Sequence, residues 1–270
     1  AGADATIRIS TDIDAQGRSV LEIVDSGVGL TAAEAAELLA TIGRSSKRDE
    51  TFGLGRTQFI GQFGIGLLAA FMVADSIEVV SRSARDTAPA IRWIGHADGT
   101  FEVIELSERE IEVGTTVRLL ARADTEHWLS HESVLALTVE YGSLLPFDVA
   151  VRVPVPGAAP VWRRITQAEL PWQVEHARAL DRERALAAYC ERSFGFTPLA
   201  AIDLTLPLLG ISGIAFVLPQ AIAPASGRHR VYTKRMLLGA RVDRVLPEWA
   251  FFVRAVLNAE SLSPTASRGQ

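Results

Sequence analysis

Two glycine-punctuated segments hold the residues best suited to chemistry. In Asp25-Ser26-Gly27-Val28-Gly29 an acidic side chain is followed by two glycines. Glycines let the backbone approach a flat ligand closely, while one carboxylate accepts a hydrogen from an exocyclic amino group such as that of adenine. The same pattern also serves as a plain tight turn, and at this point both readings stand. The second segment, Gly61-Gln62-Phe63-Gly64-Ile65-Gly66, opens an apolar run. Its glycines let backbone N–H groups converge at a helix N-terminus, where unpaired donors and the positive dipole end receive phosphate oxygens. The Walker pattern would place Lys and then Ser or Thr after the last glycine. A dinucleotide fingerprint would follow a strand and precede an acidic ribose partner. Neither condition is met.

The elements that must position these segments are legible. Ala5 to Ile9 and Val20 to Val24 are β-rich runs separated by Asp14, Gln16 and Gly17, the pattern of a hairpin ending at Asp25. Thr31 and Glu34 have capping-box spacing, and Ala35, Leu38, Leu39 and Ile42 recur at helical spacing, which predicts a helix from Ala32 to Ile42. The polar stretch from Gly43 to Gly61 is long enough to be functional and is expected to act as a mobile lid. A second helix is expected over Leu67 to Val73, with strands over Ser76 to Ser81, Ile91 to Ile94 and Thr115 to Leu120. Strands and helices alternate without the spacing of a doubly wound parallel sheet. That predicts an α/β (α+β) two-layer sandwich: one mostly antiparallel sheet covered on one face by helices, with the ligand between the layers.

A helix from Leu129 to Tyr141 and a Pro-rich passage with Pro146, Pro154, Pro156 and Pro160 follow, and the change of domain is placed near there. The division is 1–124 for a first domain and 125–270 for a second α/β domain. In the second, Thr166 and Glu169 repeat the capping-box spacing, Ala185 to Arg192 reads as helix, and Ala200 to Leu218 as strands. Leu204 to Ala223 carries no charge, yet Pro207, Gly210, Gly213 and Pro219 break it, so two buried strands are expected rather than a membrane helix.

Composition narrows the function. The 270 residues carry 48% hydrophobic and 22% charged side chains, ordinary globular usage. The net charge is −5 and no basic run is present, which argues against nucleic acid as a main partner. The single Cys190 can form no internal disulfide and is expected to be a buried, inert thiol. His96, His127, His131, His176 and His229 lack metal spacing and are expected at the surface or in loops. Trp93, Trp128, Trp162, Trp172 and Trp249 are expected as packing residues, with Trp172 and Trp249 also candidates for a partner surface. Residues 1–10 show no signal-peptide pattern.

Taken together, Ile23-Val24-Asp25-Ser26-Gly27-Val28-Gly29-Leu30-Thr31, Thr41-Ile42-Gly43-Arg44-Ser45 and Phe59 to Gly66 through Val73-Ala74-Asp75 resemble the nucleotide-site motifs of the heat shock protein 90 chaperones. The resemblance resumes at Val161-Trp162, Ile165-Thr166-Gln167, Val231 to Met236 and Leu246-Pro247-Glu248-Trp249. It ends at Leu262 to Arg268, similar to the family's catalytic-arginine loop. It implies the nucleotide-binding fold shared with gyrase, histidine kinases and mismatch-repair proteins, followed by the family's middle domain. By it, Asp25 would accept from the adenine amino group, Gly29 would leave room beside the base with Gly27 also among the binding residues, Leu39 would pack it and Thr115 would complete its polar contacts. Arg44 would contact phosphate, Gly61, Gln62, Phe63, Gly64, Ile65 and Gly66 would wrap the phosphates, and Arg268 would be the catalytic arginine at the terminal phosphate.

The resemblance further implies ATP/ADP as ligand with Mg2+, unfolded client proteins as partners, a homodimer in the intact protein, and a cytoplasmic chaperone. Neither nucleic acid nor a membrane is implied. The family's helix bearing the water-activating Glu and the magnesium-binding Asn is expected upstream of Ala1, so the chain as it stands is expected to bind but not hydrolyse ATP. Leu38 stands in place of a common Asn and Leu67 in place of an aromatic, which favours weaker binding. Alternative functions are a nucleotide-gated interaction module with little turnover and a mismatch-repair-type ATPase, with a histidine kinase ranked last.

Overall fold

The computed structural model describes residues 5–40, 69–85, 87, 89–107, 111–220, 228–243 and 245–260, with backbone alone for 37–40. The chain forms two compact units, residues 1–139 with 147–166, and 140–146 with 167–270.

The first unit is built on an eight-stranded sheet in the order β5-β4-β3-β6-β2-β1-β7-β8. β1 (Thr6–Ile13) and β2 (Ser19–Asp25) form the expected antiparallel hairpin. Its turn is closed by the Asp14 carboxylate, which accepts from Gln16 N at 2.9 Å and Arg18 N at 2.9 Å, and by Gly17 at φ +81°. β3 (Ala74–Arg82), β4 (Ala90–His96), β5 (Phe101–Leu106) and β6 (Gly114–Ala121) complete the antiparallel part. β5 was not anticipated: its pattern exposes Phe101, Glu102, Ile104 and Glu105, so it shows no clear apolar face of its own.

Register explains why one face is dry and the other wet. On one side Ile23, Val117, Val79 and Trp93 stand in a row across β2, β6, β3 and β4, and Leu21, Leu119 and Ile77 in the next. All of these but Ile23 pack with Ala35 of α1 (Ala32–Ala40) into one apolar cluster. On the other side Glu22, Arg118 and Glu78 stand opposite one another, and Arg118 lies 3.4 Å from Glu22 and 3.8 Å from Glu78. Alternation along each strand thus yields a sheet covered by helix on one face and charged on the other. This is the two-layer α/β arrangement expected from the sequence.

The Pro-rich passage folds as a hairpin on the edge of that sheet. β7 (Asp148–Val155) runs parallel to β1, anchored by the Arg8–Asp148 ion pair at 2.6 Å, and β8 (Ala158–Arg164) is the exposed edge strand. Pro lacks the N–H that a central strand must donate, so Pro160 is tolerated at an edge. The expected cap at Thr166 and Glu169 starts no helix. Thr166 is instead buried, and its hydroxyl accepts from Val149 N at 3.2 Å, closing the sheet after β8. The helix expected from Leu129 appears as α2 (His131–Gly142) after a 3-10 turn at Glu126–Leu129.

The second unit has a five-stranded sheet in the order β12-β11-β13-β10-β9. Its strands are β9 (Ala201–Leu206), β10 (Ile211–Val217), β11 (His229–Thr233), β12 (Met236–Val242) and β13 (Val253–Ala259). Leu186, Tyr189 and Cys190 of α3 (Ala179–Phe194) pack on Ile214, Phe216, Tyr232, Leu237 and Val256. Of the two buried strands expected after Leu204, β10 is central and buried, while β9 is an edge strand leaving Ile202 and Leu206 exposed. Burial pushes the Cys190 thiol up to about 12.

Trp93 and Trp172 are buried as expected, but Trp128, Trp162 and Trp249 are half or more exposed. His229 corrects the surface expectation: it is buried, and its Nδ1 accepts from Ala255 N at 3.0 Å. Among the described residues no helix is long and apolar enough to cross a membrane.

Candidate functional site

The segment after β2 is held by contacts only glycine permits. Asp25 ends the strand, and its Oδ1 accepts from Gly27 N at 2.8 Å, which folds the chain back at once. A Cβ on Gly27 would lie 2.5 Å from that same oxygen. Gly29 has φ +63°, and a Cβ there would lie 1.9 Å from the Arg82 carbonyl oxygen of β3. Gly114, with φ +140°, would bring a Cβ to 2.2 Å from the Asp25 carbonyl. The turn therefore lies directly on the backbones of β3 and β6, at two positions where an L side chain is also conformationally disfavoured.

Hydrogen bonds fix the same segment. Ser26 N donates to Thr6 O at 3.1 Å and Ala84 N to Val28 O at 2.8 Å. Leu30 N donates to Ser81 Oγ at 2.8 Å. Helix α1 then starts on the expected capping box: Glu34 N donates to Thr31 Oγ1 at 3.2 Å and Thr31 N to Glu34 Oε2 at 2.9 Å. The cap ties the helix start to the end of the turn, so strand, turn and helix form one continuous support.

Asp25, Thr115 and Ser81 stand opposite one another across β2, β6 and β3, one row beyond Ile23, Val117 and Val79. Directly opposed residues project from the same face. A polar row therefore interrupts the apolar face that α1 covers. Burial holds the Asp25 carboxyl above the usual carboxylate value of 3.8, and the Gly27 N–H offsets this in part. Apart from that N–H, the Asp25 carboxyl has no hydrogen-bond or ionic partner among the described residues. A half-buried carboxylate with an unsatisfied oxygen is a strong acceptor for a ligand donor.

Of the residues singled out from the sequence, the structure brings Asp25, Gly27, Gly29 and Thr115 together. Leu39 lies on α1, but its side chain is outside the described residues, as are Arg44, Gly61 to Gly66 and Arg268. Gly29 meets the protein's own β3 backbone. Two participants were missed: Gly114, whose positive φ brings β6 against Asp25, and Ser81, which the sequence marked only as the end of a strand. A shallow cleft of about 460 Å³ lined by Thr11, Ile13, Leu129, His131, Arg152 and Pro160 is at the opposite end of the hairpin and contains none of these residues.

Residues 1–123 match the family described as histidine kinase-, DNA gyrase B- and HSP90-like ATPase. Over 99% of its length the chain is 30% identical to the chaperone protein HtpG of Rhodopseudomonas palustris, of which it covers 43%. It is 27% identical to HtpG of Myxococcus xanthus, over 94% of this chain and 41% of that protein. It is also 27% identical to the mitochondrial heat shock protein 75 kDa of Bos taurus, over 98% of this chain and 37% of that one. The chain thus spans about two fifths of the length of the curated relatives it matches.

Proposed function

We propose that this chain is a member of the heat shock protein 90 chaperone family, the nucleotide-binding and middle part of an ATP-dependent chaperone that hydrolyses ATP to ADP and phosphate to drive client-protein folding or remodelling; its similarity to chaperone proteins along nearly its whole length supports this. The observation that carries this reading is the acceptor row of Asp25 and Thr115, set in a glycine-clamped turn on the covered face of the sheet. It suits a flat base bearing an amino group. The match of residues 1–123 to the ATPase family supports a nucleotide-binding domain at the start of the chain, and the similarity to chaperone relatives along nearly the whole chain supports a middle domain after it.

On this reading Asp25 accepts from the adenine amino group and Thr115 completes the polar contacts of the base. The clamped turn keeps both acceptors fixed, so little reorganisation accompanies binding. Leu39 packs the base, Arg44 and the Gly61 to Gly66 segment hold the phosphates, and Arg268 offsets negative charge developing at the terminal phosphate as water displaces ADP. Mg2+ accompanies the phosphates. Client proteins, a homodimer and a cytoplasmic setting belong to the same proposal. The acidic balance and the similarity running through the middle part support the chaperone over a DNA-directed ATPase.

The test is phosphate release from the intact protein and from its Arg268→Ala variant. Turnover that falls sharply in the variant while ADP affinity is kept supports the proposal. Absence of turnover in the intact protein would leave a nucleotide-gated binding module in its place.

A further inference from the structure

Ser81 belongs to none of the nucleotide motifs, yet it is fully buried beside Thr115. Its hydroxyl oxygen lies 2.8 Å from Leu30 N, 2.9 Å from Gly114 O and 3.0 Å from Thr115 Oγ1. A hydroxyl has one proton to donate and two lone pairs to accept with. Leu30 N can only donate and Gly114 O can only accept. The Ser81 proton is therefore committed to Gly114 O, and the Ser81–Thr115 bond is made by the Thr115 proton. Thr115 Oγ1 is left with lone pairs alone to offer a ligand. Its neighbour in the row, Asp25, has one oxygen bonded to Gly27 N and, when ionised, likewise offers only lone pairs.

We propose that Ser81 is a specificity-determining positioning residue: by taking the Thr115 proton it makes the polar row acceptor-only, and so selects 6-amino over 6-oxo purine nucleotides. An amino group presents two N–H donors to this row for direct contact. A 6-oxo group would set a lone pair against the lone pairs of Asp25 and Thr115, and a site built of fixed polar groups rejects such a mismatch strongly. This rests on the nucleotide-site reading above and extends it to which base is taken and which residue decides it.

The experiment is calorimetric titration of the protein with ADP and with inosine diphosphate, for the native chain, Ser81→Ala and Thr115→Val. The ratio of the two affinities on one preparation is independent of how much of that preparation is folded, so it separates selection from stability. In the native chain ADP binds more tightly. Ser81→Ala frees the Thr115 proton to turn toward the ligand and narrows the ratio about tenfold, the order of one hydrogen bond, with inosine diphosphate gaining. If that variant does not fold, Thr115→Val gives the same narrowing through loss of ADP affinity alone. A ratio unchanged in the variants that fold, with both nucleotides weakened in parallel, overturns the proposal and leaves Ser81 a structural bond. Native protein that binds ADP and inosine diphosphate equally well also overturns it while the nucleotide-site reading survives. Native protein that binds neither removes both.

Discussion

At the scale of residues, the site depends on a carboxylate held where water reaches it poorly. Asp25→Asn exchanges an acceptor for a group that is half donor, and leaves the ligand amino group poorly matched. ADP affinity should fall by roughly 1–3 kcal/mol, the cost of an unpaired buried group, as read by calorimetry. The carboxyl also sets a pH dependence. On the proposed reading it binds the base in its ionised form, and burial raises its pKa above 3.8. ADP affinity is therefore constant at neutral pH and is lost as pH falls through that raised value, earlier than an ordinary aspartate would allow. The Asn variant should show no such fall. Asp25, Gly27 and Gly29 were legible because an acid and two glycines at fixed spacing after a strand restrict the backbone locally. Ser81 was not, since a serine in a strand gains meaning only from the register that sets it opposite Thr115.

At the scale of elements, the turn and helix that support the site follow from local chemistry. Gly29→Ala would force an L side chain into left-handed backbone, about 1–2 kcal/mol by itself, and would drive its Cβ into the Arg82 carbonyl. Thermal unfolding should show a lower midpoint for this variant, together with weakened ADP binding. Thr31→Ala removes the hydroxyl that accepts from Glu34 N and should cost about 1 kcal/mol in chemical unfolding, with base selectivity unchanged. The two capping-box patterns show where sequence reading stops. Thr31 is followed by apolar residues at helical spacing and caps a helix, whereas Thr166 is recruited by the Val149 N–H of a distant strand. The prolines after residue 145 were read as a change of domain because Pro interrupts strands. On an edge the missing donor costs little, and β7 and β8 form there.

At the scale of the whole molecule, the two-layer architecture of the first unit was legible from alternation and helical spacing, while the long-range placement of single polar residues was not. His229 is the clearest case. Its burial depends on β13, whose Ala255 N–H it accepts, and nothing near it in sequence marks that partner. Burial, and next the charge of Arg254, hold its pKa below 6.5. Above 6.5 the imidazole is neutral in both folded and unfolded chains and pH has no effect through it. As pH falls from 6.5 toward the lower folded value, the unfolded chain takes up the proton first and stability is lost, by at most about 1.4 kcal/mol per pH unit. Urea unfolding of the second unit over that range should show this slope, and His229→Asn should abolish it.

The central claim, that a nucleotide base sits on the row of Asp25, Thr115 and Ser81, is tested most directly by amide hydrogen exchange with and without saturating ADP. Exchange should slow at Gly27 to Leu30, at Ser81 to Ala84 and at Gly114 to Thr116, the three backbone segments that meet around the row. ADP-dependent protection confined to other segments, or no protection at all, would contradict it.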